Sequence, residues 1–122
     1  MLLSKKELVA ITTLLVLDLV WLNLYMGPRY QTMIKEIQSE KMIVNTMSAF
    51  SAYLLMIIAL VVFVIRKNFT LLEAFLFGVC LYGVYDFTCG AVFKKWDFNL
   101  AIVDIIWGGV VYMTSIYVAN QF

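Results

Sequence analysis

The sequence predicts an all-α, polytopic membrane protein in which four transmembrane helices form one bundle. Of the 122 residues, 64% are hydrophobic and only 14% are charged, which is about half the charged share of a soluble domain. Four apolar runs each reach the roughly 20 helical residues that cross a bilayer. These predicted spans cover residues 8–26, 47–65, 71–93 and 98–118. Each run is continuous rather than alternating, which favours helices over barrel strands.

Composition also excludes several classes of function. A soluble globule with a mean hydropathy of +0.93 would leave large apolar patches in water. The net charge of +1 gives no basic field for nucleic-acid binding. Because the chain has no histidine, zinc sites and Ser-His or Cys-His catalysis are excluded within one chain. We therefore predict membrane lipids as partners, and no metal, cofactor or catalytic residue is assigned.

Helix starts are marked by local capping signals. Ser4-Lys5-Lys6-Glu7 and Thr70-Leu71-Leu72-Glu73 have the spacing of a capping box, in which two side chains satisfy two free backbone N–H groups. Asp97 and Asn99 are both suitable caps for the fourth span. These signals agree with the limits of the apolar runs.

The long connection after the first span is predicted to be an interfacial helix. Gly27-Pro28 is expected to end the first helix, because proline cannot continue the backbone hydrogen-bond ladder. Residues 29–44 follow, with apolar side chains at i, i+3, i+4 and i+7. These four are Tyr30, Met33, Ile34 and Ile37. The whole chain, 1–122, is interpreted as a single transmembrane domain.

The basic residues are divided almost equally between the two sides of the membrane, so they barely favour one orientation over the other. Four spans place both termini on one side, which holds four basic residues against five on the other. The four are Lys5, Lys6, Arg66 and Lys67, and the five are Arg29, Lys35, Lys41, Lys94 and Lys95. The early Lys5-Lys6 pair favours cytoplasmic termini. Insertion in both directions, giving an antiparallel dimer, and termini outside are the alternatives.

Three aspartates are the main candidate binding residues. A rise of about 1.5 Å per residue places Asp18, Asp86 and Asp104 about 12, 10 and 9 Å below the same end of the bundle. An ionised carboxylate in hydrocarbon costs several kcal/mol, so such residues usually have a partner. Like charges that close cannot all be ionised, which suits proton exchange or a cation held between oxygens. The structural alternative is that the three acids only join helices.

Aromatic and basic neighbours complete the candidate site. Trp21 and Trp107 each follow an aspartate by three residues, so an indole lies one turn from each of these two carboxylates. Tyr82 lies one turn before Asp86 and is expected to donate a hydrogen bond to it. Lys94 and Lys95, above the layer, are expected to bend down as counter-charges.

Five of the six glycines lie in the third and fourth spans. Small residues let membrane helices approach closely, so we expect these two spans to pack tightly. The first span would then complete the site, and the uncharged second span would support it from the lipid side. The five glycines are Gly78, Gly83, Gly90, Gly108 and Gly109.

Several strings resemble an uncharacterised family of small predicted membrane proteins, known as domain of unknown function 2177. The strings are Asp18-Leu19-Val20-Trp21, Tyr30-Gln31, Tyr82-Gly83-Val84-Tyr85-Asp86-Phe87-Thr88, Lys94-Lys95-Trp96 and Asp104-Ile105-Ile106-Trp107-Gly108. The resemblance covers nearly the whole chain and implies a four-helix membrane fold without an established activity. It adds Tyr85 to the candidate binding residues. The family typically has an asparagine where this chain has Cys89.

Three functions are compatible with these residues. The first is proton- or cation-coupled transport or permeation, as a channel or transporter, by a homo-oligomer, because four helices enclose little volume. The second is an intramembrane lipid-modifying enzyme, with a carboxylate as general acid or base and Lys94 or Lys95 on an anionic headgroup; it predicts a lateral opening between helices. The third is a structural or partner-binding subunit, which predicts fully paired acids and no cavity.

Overall fold

The computed structural model describes residues 3–40 and 45–122, and all regular secondary structure in these ranges is helical. Four helical runs are long and apolar enough to cross a membrane, which confirms the predicted fold class. They are Lys5–Gln38, Thr46–Ile65, Leu71–Val92 and Phe98–Ala119. Residues 41–44 of the predicted interfacial helix lie outside the described ranges.

Five α-helices and two π-helical segments make up these runs. The helices are α1 (Lys5–Trp21), α2 (Gly27–Gln38), α3 (Thr46–Ala59), α4 (Leu71–Val92) and α5 (Phe98–Ala119). The first π-segment, Leu22–Met26, joins α1 to α2. The second π-segment, Leu60–Ile65, extends α3. A π-segment has wider i→i+5 turns than an α-helix and often marks a functional position.

The predicted capping signals are present at three helix starts. Reciprocal hydrogen bonds of 2.9 and 3.1 Å close the box at Ser4–Glu7, and bonds of 2.8 and 3.1 Å close the box at Thr70–Glu73. Asp97 caps α5 by accepting from two backbone N–H groups at 2.9 and 3.3 Å. Asn99 donates one of these bonds and is not the cap.

The prediction that Gly27-Pro28 ends the first helix is wrong. Backbone helicity continues from α1 through the first π-segment into α2, with the Gly27 N–H donating to the Leu22 carbonyl. Pro28 stands in the first turn of α2, where a missing N–H costs least. The apolar face of α2 therefore stays against the bundle, where Met33 packs with Trp96 and Ala101.

Contact between α4 and α5 is the closest in the bundle, as the glycines predict. A Cβ built on Gly78 would lie 2.1 Å from the carbonyl oxygen of Gly108. The two backbones therefore meet at a point where only glycine fits. α1 packs on the other side of α5, and the buried core between them includes Leu14, Tyr112 and Ile116.

α3 meets the bundle at one end. None of its residues 46–59 is buried, whereas four of the six residues of the second π-segment are buried. Arg66, just after that segment, forms an ion pair of 2.7 Å with Glu7 at the start of α1. α3 itself therefore lies at the edge of the core, on the side that holds the three aspartates, and the π-segment that extends it packs into the core.

Candidate functional site

The three aspartates lie together in the folded chain. Asp18 and Asp104 are each 5% exposed and Asp86 is fully buried. They come from α1, α5 and α4 respectively, and their side chains are linked by the contacts described below. We call this group the carboxylate layer. Its existence confirms the placement that helical rise predicts from the sequence.

Two tyrosines hold the Asp18 carboxylate. The Tyr82 hydroxyl donates to Asp18 Oδ1 at 2.7 Å, and the Tyr53 hydroxyl donates to Asp18 Oδ2 at 2.6 Å. The prediction that Tyr82 bonds Asp86 on its own helix is wrong. The Tyr82 ring instead lies across α5, where a Cβ on Gly108 would be 2.3 Å from the ring. Because Gly108 has no side chain, the Tyr82 ring of α4 can lie across α5, and its hydroxyl reaches Asp18 on α1.

Two stacked indoles cover the Asp104 side of the layer. The Trp21 Nε1–H donates to Asp104 Oδ1 at 3.2 Å, so its acceptor lies on another helix rather than one turn away on α1. The rings of Trp21 and Trp107 stack with centroids 4.5 Å apart. The buried Nε1 of Trp107 interacts with Asp18 but makes no hydrogen bond within the described residues. Both predicted tryptophans therefore contact the layer.

Asp86 is the least satisfied member of the layer. Its Oδ1 accepts a long hydrogen bond of 3.4 Å from the Tyr30 hydroxyl. Its Oδ2 is buried and meets no donor in residues 3–40 and 45–122. The carboxyl group of Asp104 is a close neighbour of Asp86 and interacts with it electrostatically. Burying a carboxylate oxygen without a hydrogen-bond donor costs free energy. The Asp86–Asp104 pair is therefore the energetically least favourable part of the site.

A cavity of about 480 Å³ reaches the layer. Asp18 and Asp104 are part of its wall, whereas Asp86 lies outside the lining. Four tyrosines contribute hydroxyls or ring faces, and aliphatic side chains form most of the remaining wall. The tyrosines are Tyr30, Tyr53, Tyr82 and Tyr85. Tyr85, added through the family resemblance, therefore lines the cavity although it bonds none of the three aspartates in the described structure.

The cavity opens sideways between α3 and α4. Ala52 and Leu55 on α3 line it and are exposed, and so are Leu81 and Tyr85 on α4. Because these helices are candidate spans, the opening faces the region that lipid would fill. A lateral opening is what the enzyme hypothesis predicts, and the presence of a cavity is contrary to what the structural-subunit hypothesis predicts.

Lys94 and Lys95 do not reach the layer, so their prediction as counter-charges is wrong. Both are exposed in the turn between α4 and α5, where Lys95 has a left-handed φ of 63°. The single ion pair in the described ranges joins Glu7 and Arg66 at the opposite end. Lys95 instead lines a separate surface cavity beside Arg29. The turn holds the lysines outward because Trp96 takes the buried position.

Sequence reasoning missed two residues of the site. Tyr53 belongs to the second span, for which the sequence predicts only a supporting role; its hydroxyl within an uncharged apolar run is the signal that marks it. The sequence pattern places Tyr30 on the apolar face of an interfacial helix. It reaches Asp86 because the first π-segment keeps α2 in line with the bundle. Both errors concern contacts between helices, which local spacing does not specify.

Comparison with known families agrees with this architecture. A family model described as a predicted membrane protein, DUF2177, matches residues 4–120. The chain belongs to this family. Comparisons with curated proteins and with solved structures found no match. Family membership and the four candidate spans establish an integral, multi-pass membrane protein.

Proposed function

We propose that this protein carries protons across the membrane and that the carboxylate layer is its proton-exchange site. The observation that supports the proposal best is the contact between the Asp86 and Asp104 carboxyl groups, beside a cavity that reaches Asp104. Two adjacent carboxyl groups in an apolar surrounding cannot both carry a charge, so they share a proton. Gain or loss of that proton changes the charge on the cavity wall.

Proton exchange fits the geometry better than coordination of a small metal cation. In the described ranges, no group of three acidic, cysteine or histidine side chains is arranged to hold a metal ion. Both oxygens of Asp18 already accept tyrosine hydroxyls, which leaves few free oxygens for a cation that needs about six. A small inorganic cation as the coupling ion is the alternative that the flux experiment also measures.

Oligomeric state and orientation are part of the proposal. Four helices enclose little volume, so we propose a homo-oligomer. The Lys5-Lys6 pair at the start of α1 favours cytoplasmic termini. Cross-linking in native membranes and cysteine labelling from each side would test these two points separately.

Proton flux in proteoliposomes tests the function. Internal pH would be followed with a trapped dye under an imposed proton gradient, and entry of sodium and potassium would be measured in parallel. We expect proton flux above that of empty liposomes, and a loss of at least about 10-fold in Asp86→Asn, equivalent to about 1.4 kcal/mol. Glu73→Gln is the matched control, because an exposed capping residue tolerates glutamine.

Two outcomes would contradict the proposal. The first is a folded, inserted wild-type protein that moves protons no faster than empty liposomes. The second is Asp86→Asn and Glu73→Gln proteins with the same proton flux as the wild type. Metal-cation flux that depends on Asp86, without proton flux, would replace the proton by that cation.

The lateral opening favours a second candidate, an intramembrane lipid-modifying enzyme. Asp104 lines a cavity that opens between α3 and α4, so a lipid could bring a reacting group to a general acid or base. Neither Lys94 nor Lys95 lines that cavity, so a headgroup role for them has no support. Incubation with labelled membrane lipids, followed by mass spectrometry, should give a product with the wild type and none with Asp104→Asn.

A further inference from the structure

We infer that the transported substrate is a lipophilic organic cation, such as a hydrophobic amine or onium ion, which enters the cavity from the membrane between α3 and α4. This inference rests on the proposed transport function and names its substrate class. It depends on three independent features of the cavity, which are its charge, its wall chemistry and the position of its opening.

The charge of the cavity selects cations. The ionisable groups on its wall are Asp18 from α1, Asp104 from α5, and four tyrosines from α2, α3 and α4. Among residues 3–40 and 45–122, no lysine or arginine lines it. Behind the wall lies Asp86, whose Oδ2 meets no donor in the described ranges. A cation in the cavity would therefore meet carboxylates with no positive side chain of the described residues beside them, and an anion would be repelled.

Wall chemistry selects a lipophilic cation over a hydrated inorganic one. About 480 Å³ falls within the range of roughly 300–1,000 Å³ for small-molecule pockets. Leu22, Leu55, Met56 and Leu81 offer only apolar surface, which cannot replace the water around a small ion. Tyrosine ring faces attract organic cations through their quadrupoles. A hydrophobic body with one positive charge satisfies both parts of this wall.

The opening lies where a membrane-dissolved molecule would arrive. Leu55 is 66% exposed and Tyr85 is 55% exposed, and both line the cavity. α3 has no buried residue between positions 46 and 59, so its flank beside α4 is not closed by packing. Once inside, the cation would compensate the negative charge of the layer and displace the proton shared by Asp86 and Asp104. Binding is therefore expected to release a proton, which couples the two movements.

Tetraphenylphosphonium, with tetraphenylborate as an anion of the same shape, provides the test. The purified full-length protein would be placed in phosphatidylcholine nanodiscs, and binding would be measured by calorimetry alongside pH in weak buffer. We expect saturable binding of tetraphenylphosphonium with release of protons, and no saturable binding of tetraphenylborate. Asp104→Asn should weaken binding by at least about 10-fold, equivalent to about 1.4 kcal/mol.

A second variant pair tests the opening without touching the layer. Leu55→Trp would fill the rim of the cavity, whereas Leu54→Trp adds the same side chain at an exposed neighbour outside its lining. We expect Leu55→Trp to weaken tetraphenylphosphonium binding at least about 10-fold, again about 1.4 kcal/mol, and Leu54→Trp to leave it unchanged. This pair keeps the inference testable if Asp104→Asn does not fold.

The results separate this inference from the transport proposal. Equal binding of the two ions, or binding unaffected by both Asp104→Asn and Leu55→Trp, would overturn the substrate class. Proton flux through Asp86 without tetraphenylphosphonium binding would overturn the substrate class and leave proton transport in place. Saturable, proton-releasing binding without any flux would support the ligand class and overturn transport.

Discussion

The two ends of the bundle are built from the same apolar helices but are closed to different degrees. At the end near the termini, Ala10, Leu14, Leu60 and Val64 are completely buried, and the Glu7–Arg66 ion pair joins α1 to the second π-segment. We call this the closed half. The open half holds the carboxylate layer, the cavity and the part of α3 that buries no residue.

The difference shows where a membrane protein can place costly polar groups. In the closed half, the widened turns of the second π-segment direct four of six side chains into the core. In the open half, α3 lies apart and contributes the Tyr53 hydroxyl to Asp18. Space beside the carboxylates therefore remains next to α3, which buries none of its residues, while the π-segment that extends α3 packs into the core.

The largest expected effect on stability comes from the close contact between α4 and α5. Gly78→Ala would place a Cβ 2.1 Å from the Gly108 carbonyl oxygen, so α4 and α5 must separate. We expect the free energy of unfolding to fall by about 3 kcal/mol, which is at the upper end of the effects of overpacking a core. Gly83→Ala is the control, because its Cβ would be 4.0 Å from Ile105. Thermal and denaturant unfolding in detergent would measure both, and equal stability would disprove the close contact.

Removal of buried volume should distinguish the two halves directly. Leu14→Ala creates a cavity in the closed half, where Leu14 is fully buried, and should cost about 2 kcal/mol or more. Leu55→Ala removes the same atoms from a side chain that is 66% exposed and should change stability by less than about 0.5 kcal/mol. Unfolding in the same detergent would compare them. Equal losses would show that the halves are closed to the same degree.

The tyrosine bonds to Asp18 should have a smaller effect on stability. Tyr82→Phe removes a donor from Asp18 and leaves Oδ1 without that bond, at a cost of about 1 kcal/mol, as found for bonds between membrane helices. Tyr53→Phe should behave similarly. Tyr117→Phe, at a half-exposed tyrosine, is the matched control. If all three variants unfold alike, the hydroxyls do not hold the carboxylate.

The smallest effect is expected at the ion pair of the closed half. Arg66→Gln removes the 2.7 Å contact with Glu7, and because Arg66 is solvent-accessible, only a slight drop in melting temperature is expected. That drop should shrink as salt screens the wild-type pair. Lys67→Gln, at the exposed neighbour, should change nothing. A salt-independent loss in Arg66→Gln would indicate that the side chain acts through packing instead of charge.

Predictions that depend on capping spacing and on helical rise succeeded. The capping boxes at Ser4–Glu7 and Thr70–Glu73 were predictable because both partners lie three residues apart. The depth of the three aspartates followed from helical rise. The prediction at Gly27-Pro28 is wrong because a π-helical segment lets the helix continue past the proline. The local residue pattern does not distinguish such a segment from the end of a helix.

The sequence by itself determined four apolar spans, the close contact of α4 with α5, and a layer of three aspartates. These features depend on hydropathy, side-chain size and spacing along one helix, which the order of residues specifies. Only the tertiary structure decided that Tyr82 and Tyr53 bond Asp18, that Trp21 bonds Asp104, and that Lys94 and Lys95 stay outside. Those partners depend on how the helices rotate and lean against one another, and many weak contacts between helices determine that geometry together.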